Sequence, residues 1–472
     1  MDTAPRVRRS NNDALLAEIV TFCQRAGMAE STFGRRAVND GKFVPRLRFG
    51  GRVTTQTVER VHAFMQDARP RVRADTDLPG STSPGVAFAA PVVGETNAET
   101  RFRFYDNRQK YLLFVSTCTE KWVVAQRVEL EFDSIKPRPP ALRMFDAGVG
   151  DGTVLTRIMR SMHDRFPTVP FYIVGKEISL EDVRLALEKM PDRFYEHPAT
   201  VLVMTNMHYA EAPWLRPSTL AAASGLVWHE LALRGGTAGQ FERQITDLQE
   251  FLAQNWTAKI SKKSGNPVYE RPVVLVIYRD DHRLLLDGVR PKQGTVRADF
   301  DLVIASQPYR ARAPVEFKAS KVIAPLARAL GPGGRLVGIH SCGRDVGMEI
   351  IQRVWPGESP FVMDRHELLK VTKQVLGAEA RGLNFHAYSD QRAYFRYKMH
   401  TLPMEISSSI GTSTLLAAWN AAIYVAQIED ERLRAAMADG RYLEATREVL
   451  QKHGGLWFQN ESYVISRHRF AA

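Results

Sequence analysis

The stretch Leu142-Arg143-Met144-Phe145-Asp146-Ala147-Gly148-Val149-Gly150-Asp151-Gly152-Thr153-Val154-Leu155 decides how the rest of the chain is read. A short apolar run ends abruptly in a carboxylate, three glycines follow two apart, and a helical pattern opens behind them. That order predicts a buried strand, a tight turn and the first turn of a helix. The glycines let the backbone bend and approach a ligand where a Cβ would collide. The amides that open the helix point at the same ligand. In a parallel sheet this is a nucleotide-cofactor crevice at the carboxyl end of a strand. A pyrophosphate-binding turn spaces its glycines G-x-G-x-x-G. Here the spacing is D-x-G-x-G-x-G, with an acid before the first glycine.

Downstream, apolar strands alternate with helices. Val154 to Phe166 reads as a helix, and Phe171-Tyr-Ile-Val-Gly175 as a second strand with Glu177 just past its end. A carboxylate has acceptors only, so Glu177 can take both hydroxyls of a ribose. Ala199 to Asn206 is the third strand, and Asp299 to Ser306 the fourth, followed by the loop Gln307-Pro308-Tyr309. Arg310 and Arg312 beside that loop suit a carboxylate or phosphate. Val322 to Leu330 is a helix, and Gly331-Pro-Gly-Gly turns into a fifth strand that carries His340. Asn384 to Tyr388 and Gly455 to Ser466 are the sixth and seventh. The expected architecture is α/β: a seven-stranded, doubly wound sheet over residues 101–472. Insertions at about 210–298 and 400–453 shape acceptor access or a homodimer contact.

Within the first insertion, Glu242 to Trp256 reads as one helix, and Val273 to Tyr278 with Leu284 to Leu286 as a hairpin. The entry segment, Asn107 to Phe132, reads as one long helix. Phe395, Tyr397, Met399 and His400 are candidates for an acceptor pocket. His229-Glu230 and Asp280-Asp281-His282 are not expected to bind metal, because adjacent strand residues face opposite ways.

The Asp146–Gly152 turn resembles motif I of the class I S-adenosylmethionine-dependent methyltransferases, a Rossmann-like family. Leu330-Gly331-Pro332-Gly333-Gly334-Arg335-Leu336-Val337 is similar to a phrase of the same family. Ser306-Gln307-Pro308-Tyr309 resembles the Asn/Asp-Pro-Pro-Tyr loop of its amino-directed members, with Ser306 replacing the usual amide or acid. The resemblance spans about residues 140–345. It implies S-adenosylmethionine as cofactor, held by Asp146, Gly148, Gly150, Asp151, Gly152, Glu177, Asn206 at the adenine edge, and Ser306. It implies an acceptor held by Gln307, Pro308 and Arg310, with Tyr309 and His340 as the polar residues placed for catalysis. The expected acceptor is a small molecule or lipid headgroup. The alternatives are a nucleic-acid methyltransferase and a regulator whose methyltransferase-like domain senses the cofactor.

Composition bounds these expectations. At 472 residues the chain exceeds one small core. Its three cysteines, Cys23, Cys118 and Cys342, fit no metal-ligand spacing and suggest a reduced, cytoplasmic setting. No apolar run approaches a membrane span, and the N-terminus lacks the apolar core of a signal peptide. The net charge is +12, and half of that excess falls in residues 1–75. Short helices there, with Arg35, Arg36, Lys42, Arg46 and Arg48 between them, resemble the helix-turn-helix domains of bacterial repressors. The resemblance implies DNA contacts through groove and phosphates. Pro45 departs from that pattern. Residues 76–100 are turn-rich and expected to be a linker.

Overall fold

The computed structural model describes residues 15–23, 28–38, 40, 43–48, 53, 55–67, 108–261, 265–400, 410–438 and 440–469. The chain divides into two compact units, Met1–Glu95 and Thr96–Ala472. The expected linker lies outside the described residues.

In the first unit, residues 15–23 and the helices Glu30–Val38, Phe43–Arg48 and Thr55–Asp67 enclose Ile19, Phe33, Phe43, Val44 and Val61. The rings of Phe22, Phe33 and Phe64 meet edge to face. Pro45 sits in the first turn of its six-residue helix, where no amide partner is lost. Two of the expected phosphate ligands pair within the unit instead: Arg46 with Asp40 at 2.7 Å and Arg48 with Glu30 at 2.7 Å. Arg36 is exposed, and Lys42 and the side chain of Arg35 lie outside the described residues.

The second unit is built on one large mixed sheet. Its strands are β1 (Leu142–Asp146), β2 (Phe171–Lys176), β3 (Thr200–Thr205), β4 (Val227–Leu233), β7 (Val273–Arg279), β8 (Phe300–Ser306), β9 (Leu330–Ser341), β10 (Leu383–His386), β11 (Tyr394–Lys398) and β12 (Trp457–Arg467). A separate ribbon pairs β5 (Ala258–Ile260) with β6 (Pro267–Tyr269). The sheet runs β10-β12-β9-β8-β1-β2-β3-β7-β4, with β11 added beside β12. Strands β9, β8, β1, β2 and β3 are mutually parallel, while β12 and β7 run against their neighbours β9 and β3. Alternation with period two splits the strand side chains between two cores. Met144, Ile173, Leu202, Leu275 and Leu302 face one; Phe145, Val174, Val203, Val276 and Val303 face the other. The chain leaves β1 towards β2 on one side and returns to β8 on the other. Such a reversal leaves a crevice at the strand tips, where α/β sheets bind ligands.

Among the described residues the sheet has ten strands where seven were expected. The run Val273–Tyr278 is buried on both faces and extends the sheet beside β3, with β4 outside it, so the expected hairpin does not form. Its other supposed arm, residues 284–286, lies in a turn that leaves Leu284 and Leu285 exposed and buries Leu286 in a core. The expected long entry helix is two helices, Arg108–Thr117 and Glu120–Glu129. They break where the Thr119 amide donates to the Lys398 carbonyl at 2.9 Å, and Cys118 bridges Met399. Residues 238–255 likewise form two helices, Ala238–Thr246 and Gln249–Asn255.

Helices Arg108–Thr117, Val346–Val354, Thr412–Ala426 and Arg441–His453 pack around a third core that contains Phe114, Trp419, Ile423 and Phe458. Tyr397 and Met399, expected in an acceptor pocket, are buried in this core. No described helix is long and apolar enough to cross a membrane.

Candidate cofactor and acceptor site

The glycine turn is pinned at both ends. The Ala147 amide donates to the Ile304 carbonyl at 2.9 Å, and the Val149 amide to the Lys176 carbonyl at 3.2 Å. Its three glycines have different tasks. Gly150 and Gly152 hold positive φ, 54° and 80°, which a side chain rarely adopts. A Cβ on Gly152 would lie 2.7 Å from the Ala186 Cα, so this glycine lets the helix Leu180–Glu188 approach. A Cβ on Gly148 would have no atom within 4 Å. The open face of the turn is therefore at Gly148.

Asp146 borders that face. Its Oδ1 accepts the Gly148 amide at 3.1 Å, while its Oδ2 is buried without a partner. Burial, helped by the nearby Glu177 charge, pushes the Asp146 carboxyl up to about 6 against the pull of the Gly148 amide. Glu177 spans the mouth of the turn. Its Oε2 accepts the Gly150 amide at 2.8 Å, and its Oε1 accepts the amides of Ile178 at 2.7 Å and Ser179 at 2.9 Å. An unpaired buried carboxylate oxygen beside uncovered backbone fits a ligand that brings a cation or donor. The residues present therefore fit an adenosyl cofactor with an ammonium.

Asp151 is turned to structural use. It accepts from the Tyr111 hydroxyl at 3.1 Å and from Lys189 at 2.7 Å, and Thr153 bonds it as well. Burial alone would raise its pKa, but Lys121, Lys189 and Thr153 hold it below the usual carboxylate value. Asn206 is engaged by backbone: its Nδ2 donates to the Arg271 carbonyl and its Oδ1 accepts the Val273 amide, both at 2.9 Å. That locks the tip of β3 to the start of β7 and commits one of its two N–H donors and one oxygen lone pair.

Three residues at this site carry no signal in the sequence. Tyr111 and Lys121 come from the entry helices; the Lys121 ammonium lies 5.4 Å from the Tyr111 ring centroid. Burial disfavours the Lys121 charge, yet Glu120, Asp151 and Asp146 hold its pKa above the ordinary value. Tyr209, in the loop after β3, donates its hydroxyl to the Pro308 carbonyl at 2.8 Å. The charges of Glu177 and Asp146 add to burial in raising its pKa, and its hydroxyl ties the loop after β3 to the loop after β8. An aromatic or lysine in a helical run carries no sign of what it faces across the fold, so only position reveals these three.

Past Ser306 at the end of β8, Gln307 has φ 49°, a strained value for a residue with a side chain. Its side-chain amide nitrogen donates to Ser341 Oγ at 2.8 Å, and Ser341 Oγ donates to Asn460 Oδ1 at 3.1 Å. Asn460 Nδ2 is buried without a partner. Pro308 is buried, and Arg310 is half-buried. Arg312, expected to suit an anion, instead donates to the Ala426 and Gln427 carbonyls and pairs with Glu358 at 2.6 Å. The Ala311 amide donates to Gln427 Oε1 at 3.0 Å. The helical insertion is thus tied directly to the acceptor loop.

Tyr309 and His340, each predicted from its own strand end, meet. The Tyr309 hydroxyl lies 2.8 Å from His340 Nδ1, and His340 Nε2 lies 2.8 Å from Glu461 Oε1. Glu461 Oε2 is held by Arg365 at 2.9 Å. All four are buried. Arg365 and His340 together hold the Glu461 carboxyl below its ordinary value despite burial. An ionised Glu461 can only accept, so Nε2 carries a proton, and in a neutral ring Nδ1 accepts from Tyr309. Burial, with Tyr463 and Glu461 nearby, pushes the Tyr309 phenol well above its ordinary pKa. Among the described residues no group of three or more His, Cys, Asp or Glu is placed to hold a metal.

No family model matches the chain, and no curated protein matches it. Several solved structures are similar to it over most of its length. The 4+2 cyclase SpnF is 13% identical, with a TM-score of 0.28 over 79% of this chain and 86% of that one. Geranyl diphosphate methyltransferase, in complex with GPP and sinefungin, is 13% identical, with a TM-score of 0.26 over 73% and 78%. The cyclopropane synthase MmaA2 of Mycobacterium tuberculosis is 12% identical, with a TM-score of 0.26 over 72% and 83%. Likenesses this distant assign neither activity nor ligand to this chain.

Proposed function

We propose that the chain is an S-adenosylmethionine-dependent methyltransferase acting on a small molecule or lipid headgroup. The observation that carries this is the unpartnered Asp146 oxygen beside the open face of Gly148, with Glu177 across the turn. Asp146 takes the cofactor's ammonium, Glu177 takes one ribose hydroxyl at the acceptor position left on Oε2 beside the Gly150 amide, and Lys121 is a cation close enough to act on both Asp146 and Asp151. When bound, the cofactor supplies an activated methyl group on a sulfonium. The chain's own residues align the acceptor, exclude water and accept a proton, and alignment is the larger part of that work.

Tyr309 and His340 suit the proton step. As the acceptor atom loses its proton to the Tyr309 oxygen, the phenol proton passes to His340 Nδ1, and Glu461 stabilises the resulting imidazolium. Gln307 and Ser306 line the approach from the strand tip.

An adenine amino group is a poor acceptor for this loop. Tyr209 already donates to the Pro308 carbonyl that would hold such an amino group. A regulatory or DNA-binding role for residues 1–75 is a separate proposal, weakened by the internal pairing of Arg46 and Arg48. Calorimetry with S-adenosylhomocysteine tests the cofactor assignment. The native chain should bind it, and Gly148→Val should fold normally yet give no binding heat. Equal affinity in the two would overturn it.

A further inference from the structure

At the end of the sheet opposite the strand tips, two adjoining concavities share Asn384 and His468. They measure about 530 Å³ and 600 Å³. Arg467, His468 and Arg469, where β12 ends, border the first, and Lys370, Lys373 and Arg381 border the second. Lys370 and Lys373 are three apart on the helix Arg365–Leu376 and so share a face. No acid and no Phe, Tyr or Trp lines either concavity.

This cluster departs from the habit of the chain. Elsewhere arginines are matched with acids: Arg312 with Glu358, Arg328 with Glu379 and Arg365 with Glu461. Of the seven basic side chains around the concavities, Arg335 is paired with an acid, Glu131 at 2.6 Å, and among the described residues the other six have no acidic ion-pair partner. Arg467 and Arg469 each give one guanidinium nitrogen to a carbonyl, of Leu330 and Ser134, and keep their other donors. His468 is bonded to Asn384. Glu379 is committed to Arg328 through both oxygens, although Arg467 is close enough to help depress its pKa. Lys373 and Arg381 have a local explanation, since each sits in the last turn of a helix, where the backbone dipole favours a cation. The other four have none.

Like charges gathered on a concave surface repel one another, and an anionic ligand relieves that repulsion. One phosphate occupies two or three donors. Cations spread over two joined concavities, from three chain segments, suit successive phosphates of a linear polyanion. With no aromatic ring to stack a base and no acid to read one, recognition would follow the backbone and not the sequence. We propose that these joined concavities bind the phosphodiester backbone of a nucleic acid, on the side of the sheet away from the methyl-transfer site. The site would tether the protein and take no part in the chemistry.

Fluorescence anisotropy of the full chain with a labelled DNA duplex of about 20 base pairs, long enough to span both concavities, tests this. The native protein should bind, and the triple variant Lys370→Glu, Lys373→Glu, Arg381→Glu should bind at least about tenfold more weakly. Its dependence of log affinity on log salt should be shallower by roughly 0.9 for each phosphate that is no longer neutralised. All three side chains are exposed, so the melting temperature should hold. The neutral variant Lys370→Gln, Lys373→Gln, Arg381→Gln should lose less affinity in the same order. Unchanged duplex affinity in the charge-reversed protein would overturn the proposal. So would native protein that ignores the duplex while binding pyrophosphate or vesicles of phosphatidylserine.

Discussion

Asp146→Asn should make the protein more stable and worse at binding its cofactor. The carboxyl is 3% exposed, one oxygen is unpaired, and its pKa is pushed from 3.8 up to about 6. Below about pH 4 the group is protonated in both the folded and unfolded chain and contributes no pH dependence. Between about 4 and 6 the unfolded chain releases the proton while the folded chain keeps it, so stability falls as pH rises. Above about 6 the folded protein carries the buried charge, at a cost of up to about 3 kcal/mol. An asparagine keeps an oxygen for the Gly148 amide and never ionises. The variant should therefore match the native melting temperature near about pH 4 and exceed it by a few degrees at about pH 7.5, as read by scanning fluorimetry.

With S-adenosylhomocysteine the order reverses. The native protein should gain stability from an ammonium paired with Asp146, and the variant should lose about 2 kcal/mol of binding, roughly thirtyfold in affinity. Because that pairing needs the ionised form, native affinity should drop about tenfold between about pH 7 and pH 5. A variant less stable than native at neutral pH, or one with undiminished affinity, would refute the reasoning.

Other substitutions separate binding from packing. Gly152→Ala places a Cβ against the Ala186 backbone at a φ of 80° and should cost about 2 kcal/mol or more in urea melts, because backbone cannot move aside. Asn206→Ala removes two backbone hydrogen bonds and should destabilise by about 2 kcal/mol, with S-adenosylhomocysteine affinity per folded molecule nearly unchanged. Glu461→Leu should remove the acceptor that fixes His340. The His340 ring nitrogens, followed by 15N NMR, should shift away from the tautomer protonated at Nε2, and an unchanged tautomer would exclude Glu461 as its determinant.

The glycine turn, the core strands and the acids at the tips of β1 and β2 are legible in the sequence because each is a local pattern. An apolar run ended by a carboxylate, a turn that needs positive φ and an acid just past a strand end all lie within a few residues. The same local signals mislead wherever burial on both faces is needed to interpret them. Val273–Tyr278 reads as a hairpin arm because its apolar run does not say which strand will lie beside it. Asn206 carries the same letters whether it faces a ligand or the backbone of β7.

Tertiary structure alone brought Tyr111 and Lys121 to the glycine turn. It also set Glu461 against His340 from 121 residues away. It left the basic concavities without acids while pairing many other arginines. The residue type determines what a side chain can donate, accept or ionise. Its partner is supplied by chain that returns through the fold, so burial and pairing, which decide what the group does, exist only after packing.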